Sequence, residues 1–272
     1  MGEHLITSLT NDTVKAVRAL HMRKEREATG RFLAEGLKFI GEALDQGRAP
    51  KMLLVGQDAR PHAILDRAKE ETRKAGGQII TVTHAILEKI SRRDNPQTVL
   101  GVFEQVFTPL DEIKPDSKPV WVALEQVRDP GNLGTIIRTA DSAGCGGVIL
   151  IGDCVDPYSV EAVRATMGSV FAVTITRTSR EDFVAWRKNW PGSVIGTRLD
   201  ATHGYRDSPL RHPAIILMGN EQAGLTDELA AACDINVKIP MRGRADSLNL
   251  AVATGIMVYS VTDAAYGSGL QG

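Results

Sequence analysis

From residue 120 to residue 264, short apolar runs alternate with longer segments whose apolar residues recur at helical spacing. The runs cover residues 120–124, 147–151, 171–175, 194–197, 214–218 and 235–239. The helical segments cover residues 132–143, 159–167, 181–189, 227–232 and 247–264. Unbroken apolar runs read as strands buried on both faces, and their alternation with helices predicts a mostly parallel sheet covered on both sides. Ligands of such sheets sit beyond the carboxyl ends of the strands. The loops leaving those ends are therefore the candidate site.

The first part of the chain reads as a smaller α/β layer. A helix is expected over residues 11–24, with Asn11 or Asp12 as its cap, and a short strand running into a helix over residues 32–45. Strands at 51–55, 78–82 and 99–106 alternate with helices at 63–74 and 85–90. Pro109, Pro115 and Pro119 mark a segment that cannot form a helix or a central strand. The expected division is a domain over 1–108, a linker over 109–119 and a second domain over 120–272.

Composition removes several classes of function. With 32 Lys+Arg against 33 Asp+Glu, no overall basic field points to a nucleic acid, so any polyanion site must be a local patch. The three cysteines form no C-x-x-C pair and the six histidines form no H-x-x-x-H pair. Neither a disulfide framework nor a protein-bound metal is expected, and a reducing compartment is. The start of the chain, with Glu3 and no long apolar core, does not read as a secretory signal. Residues 250–261 are too short an apolar stretch to span a bilayer, so no membrane association is expected and the location reads as cytoplasmic.

Three strand-end loops combine glycine with polar groups. The first runs Arg128-Asp129-Pro130-Gly131-Asn132-Leu133-Gly134 into a helix, with Asn132 expected as the N-cap. Arg138 lies off that helix's apolar stripe, on a face with Thr135 and Ser142. The second loop leaves Met218 as Gly219-Asn220-Glu221, where glycine permits a sharp turn. The third, Ile239-Pro240-Met241-Arg242-Gly243-Arg244-Ala245-Asp246-Ser247-Leu248-Asn249, opens a helix that Ser247 is expected to cap. Taken singly, the first and third read as capped helices with a solvated side chain or loop, and the second as a solvated loop charge. No G-x-G-x-x-G or P-loop follows any strand, which disfavours a nucleotide-dependent enzyme of another kind.

Together and in order, the loops resemble the three motifs of the SpoU (TrmH) family of the SPOUT class. Asn132-Leu133-Gly134-Thr135-Ile136-Ile137-Arg138-Thr139-Ala140 matches N-x-G-x-I-x-R-T-A; residues 218–225 match G-N-E-x-x-G-L after a strand; residues 239–249 match I-P-M-x-G-x-x-x-S-L-N. In the first part, Phe32-Leu33-Ala34-Glu35-Gly36 and residues 95–102 look like landmarks of the substrate-binding domain these enzymes often carry, one that resembles a ribosomal RNA-binding protein.

The resemblance implies an α/β fold whose C-terminal parallel-sheet domain carries a deep trefoil knot. It implies an S-adenosylmethionine-dependent methyltransferase acting on a ribose 2′-hydroxyl of RNA, with rRNA favoured over tRNA because of the added domain. The alternative is a non-catalytic RNA-binding or ribosome-assembly protein that keeps the fold. By the family pattern Gly219, Ile239 and Leu248 hold the cofactor, with Met218, Met241 and Thr197 in the same pocket. Arg138 would be the central catalytic residue, as a base or as a stabiliser of the oxyanion, with Asn132, Glu221, Ser247 and Asn249 around it. Glu221 would pair with Arg138 or another arginine. RNA contacts are expected at Arg23, Lys24 and Arg31, near Arg92 and Arg93, and at Arg242 and Arg244. Family members are dimers joined through the knotted domain. The last helix, apolar on more than one face, suits either such an interface or the core of one chain.

Overall fold

Strand pairing decides the architecture, and it separates the apolar runs into two sheets. A computed structural model describes residues 4–206 and 210–266. In chain order the described residues begin with β1 (His4–Ile6), α1 (Asp12–Ala19), α2 (Arg23–Thr29), β2 (Arg31–Glu35) and α3 (Leu37–Asp45). Then come β3 (Met52–Gly56), α4 (Ala63–Lys74), β4 (Gln78–Val82), α5 (His84–Ser91), β5 (Val99–Glu104), β6 (Val120–Glu125) and α6 (Pro130–Ser142). β7 (Gly147–Ile151), α7 (Val160–Thr166), β8 (Thr174–Thr178), α8 (Arg180–Arg187), β9 (Val194–Thr197) and β10 (His203–Gly204) follow. The chain continues with β11 (Ala214–Met218), α9 (Asp227–Ala231), β12 (Ile235–Lys238) and α10 (Leu250–Tyr266). Two compact units result: the chain up to Gln105 with Asp156–Ala172, and Val106–Val155 with the chain from Val173 onward.

The first unit is a five-stranded sheet in the order β1-β4-β3-β5-β2, with β5 antiparallel to both its neighbours. Asn11 caps α1, its Oδ1 accepting from Thr13 N and Val14 N. The segment Asp156–Ala172 belongs to this unit, whereas the apolar pattern places residues 159–167 and 171–175 with the second part. The cause is charge and aromatic packing. Arg26 Nε donates to Asp156 Oδ2 at 2.7 Å with both side chains buried, and Arg164 Nη2 donates to Glu35 at 2.7 and 2.8 Å. Phe171 stacks near Phe32 and Phe103, at 5.7 and 4.9 Å between ring centres. Phe171 therefore closes a 3-10 turn, Ser169–Phe171, and the strand starts at Thr174.

The second unit is a seven-stranded sheet in the order β10-β12-β9-β11-β6-β7-β8, all of whose pairs are parallel. β6, β7 and β11 are buried along their whole length, as unbroken apolar runs require. α10 packs on α6, β6 and β11. The proline-rich segment expected as a linker forms two 3-10 turns, Leu110–Glu112 and Pro115–Ser117, and buries Ile113 in a core with Trp121, Phe183 and Trp190. β1 and β10 are too short to show as apolar runs and pair only at sheet edges.

Candidate active site

The carboxyl ends of β6 and β11, neighbours in the sheet, launch the first two loops. Gln126 follows β6 with φ +48°, a left-handed conformation uncommon for a side chain of its kind. Its N–H donates to Ile151 O, and its carbonyl accepts from Asn220 Nδ2 at 2.8 Å. The turn then enters α6 with Pro130 in its first turn. Asp129 is the N-cap, its Oδ1 accepting from Asn132 N at 2.6 Å. Asn132, expected as the cap, thus lies inside the first turn; the proline, which needs no N–H partner, fixes the earlier start.

The second loop is a tight return. Asn220 and Gly224 exchange both backbone hydrogen bonds, and Asn220 Oδ1 accepts from Gln222 N and Ala223 N. A Cβ on Gly219 would fall on the backbone of Gly224 and Leu225, so only glycine fits there. This return aims Glu221 at the first loop. Its carboxylate accepts from Arg128 N at 3.2 Å, Asp129 N at 3.3 Å and Asn132 Nδ2 at 3.2 Å. The expected ion pair of Glu221 with Arg138 or another arginine is not formed among the described residues. Backbone amides of a loop entering a helix are a closer and fixed set of donors.

In the third loop, Asn249 and not Ser247 caps the last helix. Asn249 Oδ1 accepts from Ala251 N and Val252 N at 2.9 and 3.2 Å. Its amide Nδ2 is then free to donate to Asn132 Oδ1 at 2.9 Å. The three loops are joined in one chain of polar contacts, Asn249 to Asn132 to Glu221 to the backbone of residues 128–129.

These loops wall a cleft of about 690 Å³ at the carboxyl edge of the sheet. All six expected cofactor residues, Thr197, Met218, Gly219, Ile239, Met241 and Leu248, line it. So do Asn132, Glu221, Ser247 and Asn249. Sequence reading missed Asp129, Arg198, Lys238 and Asp246, which also line it. Arg198 is drawn between Asp200 and Asp227, and these partners, Asp200 first, raise its pKa above the ordinary arginine value. Thr197 Oγ1 donates to Leu217 O at 3.3 Å, tying the cleft floor to β11.

Arg138 is not in the cleft lining. It is exposed on α6 and makes no hydrogen bond or ion pair among the described residues. Arg242 and Arg244 are exposed on the third loop. Arg23, Lys24 and Arg31 lie in the first unit, all exposed, with Arg23 paired to Glu27 at 2.7 Å. Among the described residues no group of His, Cys, Asp and Glu could hold a metal ion, and no helix is long and apolar enough to cross a membrane. Cys145, Cys154 and Cys233 are free, and burial pushes their thiols up to about 12, 11 and 12.

Known proteins share both the sequence and this fold. The profile of the SpoU rRNA Methylase family matches residues 119–259, and that of the MRM3-like substrate binding domain matches residues 11–101. A 23S rRNA (guanosine(2553)-2′-O)-methyltransferase of Bacillus subtilis is 32% identical over 93% of this chain and 97% of its own length. An AdoMet-bound rRNA methyltransferase from Sinorhizobium meliloti superposes with a TM-score of 0.89 at 48% identity, covering 94% of this chain and 96% of that one. The AdoMet complex of the SpoU methyltransferase AviRb from Streptomyces viridochromogenes gives 0.84 at 29% identity, covering 94% and 99%. With its three motifs on one cleft and its family profile over the sheet domain, this chain belongs to the SpoU rRNA methylase family.

Proposed function

We propose that this chain transfers a methyl group from S-adenosylmethionine to a ribose 2′-hydroxyl of RNA. Ribosomal RNA is the preferred substrate and tRNA the other candidate. The observation that carries the reading is the convergence of all three loops on one cleft through the Asn249–Asn132–Glu221 contacts. Two of the similar proteins named above are rRNA methyltransferases, which supports the choice of RNA.

The cleft fits the cofactor's chemistry. Met218, Val237, Ile239, Leu248 and Leu250 give an apolar slot for a flat base, and Asp129, Glu221 and Asp246 bring negative charge to a cationic ligand. When bound, S-adenosylmethionine supplies an electrophilic methyl group. The chain's own residues must hold the ribose and stabilise the charge that builds on its oxygen. Asn132 and Asn249, fixed by their mutual bond, orient the ribose. Arg138 projects from the same helix as Asn132 and stabilises the developing alkoxide. A delocalised guanidinium serves better as a fixed positive charge than as a base. Ser247 lines the cleft and contacts cofactor or RNA. Arg242 and Arg244, with Arg23, Lys24 and Arg31, grip phosphates.

The working form is a homodimer. Val252 and Tyr259 are 53% and 49% exposed, one heptad apart on α10, and a second copy would cover them. The return of the chain from β12 to α10, which packs on β6 and β11, supports the trefoil threading that the family pattern implies. The site of action is the cytoplasm, a reading that the three free cysteines support.

Radiolabelled-methyl S-adenosylmethionine, incubated with separate rRNA and tRNA pools, tests the reading. Label should enter rRNA with the wild type and not with Arg138→Ala. Absence of label from both pools, with no cofactor binding by calorimetry, would overturn it.

A further inference from the structure

We propose that Glu125 is a positioning residue that sets the alignment of the first two loops, an inference that rests on the methyltransferase reading. Glu125 ends β6, is 1% exposed, and does not line the cleft. Burying a carboxylate is costly unless its oxygens are fully bonded. Here Oε1 accepts from Arg180 Nη2 at 2.8 Å, Arg180 Nε at 3.1 Å and Thr226 Oγ1 at 2.9 Å. Oε2 accepts from Thr226 N at 2.9 Å. Arg180, in the first turn of α8, also lies 3.6 Å from Glu228 of α9.

The partners' places in the chain matter more than their number. Glu125 directly precedes the first loop, and Thr226 directly follows Leu225, the end of the second. The bond pair between Glu125 and Thr226 therefore joins the base of one loop to the base of the other. Beyond it, Gln126 O accepts from Asn220 Nδ2. Beyond that, Arg128 N, Asp129 N and Asn132 Nδ2 converge on Glu221. The contacts form three successive rungs, and the lowest is the buried, charge-assisted one. Gln126 sits between the first two rungs in its left-handed conformation, which costs energy and persists only where its surroundings enforce it. A loosened lower rung would let the first loop relax there and shift Asn132 against Asn249.

Steady-state transfer to rRNA is measured for Glu125→Gln, Thr226→Val and Thr226→Ser. Trp190→Phe serves as a destabilised control. Trp190 Nε1 donates to Pro213 O beside the amino end of β11, opposite the loops. Rates are taken well below every variant's unfolding midpoint. Glu125→Gln should lower kcat about tenfold while the KM for S-adenosylmethionine moves less, as a misplaced group requires. Thr226→Val should also lower kcat, and Thr226→Ser, which keeps the hydroxyl, should restore it. Trp190→Phe should lose stability with kcat unchanged. If Glu125→Gln and Thr226→Val lose no more kcat than Trp190→Phe, Glu125 merely supports the fold and the proposal fails. Should Glu125→Gln not fold, the Thr226 pair decides alone. A wild type that transfers no methyl group would instead remove the methyltransferase reading beneath it.

Discussion

Asn249 Nδ2 donates to Asn132 Oδ1 at 2.9 Å, joining the N-cap of α10 to the first turn of α6 although the two residues are 117 positions apart in the chain. The same Asn249 caps its helix through Oδ1. One side chain thus serves stability with its oxygen and alignment with its nitrogen, and substitutions can separate the two.

Asn249→Asp keeps a capping oxygen and removes the donor to Asn132. Its stability should stay within about 0.5 kcal/mol of wild type. Methyl transfer should fall about tenfold, the worth of one hydrogen bond. Asn249→Ala should lose both, with a stability cost of about 1 kcal/mol. Urea unfolding and transfer rates read the two effects separately. Equal stability loss in both variants would show that the amide nitrogen, not the cap, holds α10.

Arg138 bonds nothing among the described residues, so Arg138→Ala should leave the melting temperature unchanged. Transfer should drop by about 10²-fold or more if its charge stabilises the oxyanion. Calorimetric affinity for S-adenosylhomocysteine should not move, because Arg138 lies outside the cleft lining. A large affinity loss would reassign it to cofactor binding.

Asp156 and Arg26 are both buried, with 3% and 4% of their side chains exposed. Asp156→Asn leaves a buried guanidinium without its countercharge and should cost about 3–5 kcal/mol. Exchanging both residues for apolar ones of similar volume should cost much less. By the same logic, residues 1–105 expressed alone should not fold, since they lack Asp156, Arg164 and Phe171. A dispersed amide NMR spectrum from that fragment would contradict this.

His21 Nε2 lies 2.6 Å from Ile90 O, and burial is the main cause of a pKa below the usual 6.5. Nearby Arg92 lowers it further, while the Ile90 bond, Glu35 and Glu161 oppose. A depressed folded pKa means the unfolded chain binds the proton more readily. The contribution is whole above pH 6.5 and is lost as pH falls below 6.5 and through the folded value. His21→Gln should flatten the stability profile in that window. Identical profiles for the two proteins would refute it.

Most of the sheet domain was legible because its strands are continuous apolar runs and its loops carry spaced polar motifs. The caps were misplaced for local reasons. Pro130 starts α6 earlier than the apolar stripe does, and Asn249 outcompetes Ser247 as a cap while also reaching Asn132. The allegiance of residues 156–172 was hidden for a different reason. It depends on Arg26–Asp156 and Glu35–Arg164, pairs about 130 positions apart, which no local period records. Lys238 and Arg198 escaped notice because nothing in the three motifs marks a strand-end cation. Two of the three donors to Glu221 are backbone amides, which a sequence does not display.

The central claim is methylation of a ribose oxygen, and the position of the label tests it most directly. Labelled rRNA is hydrolysed in alkali, which cleaves every linkage beside a free 2′-hydroxyl. The label should survive in alkali-resistant dinucleotides. Label released in mononucleotides would place the methyl group on a base and contradict it.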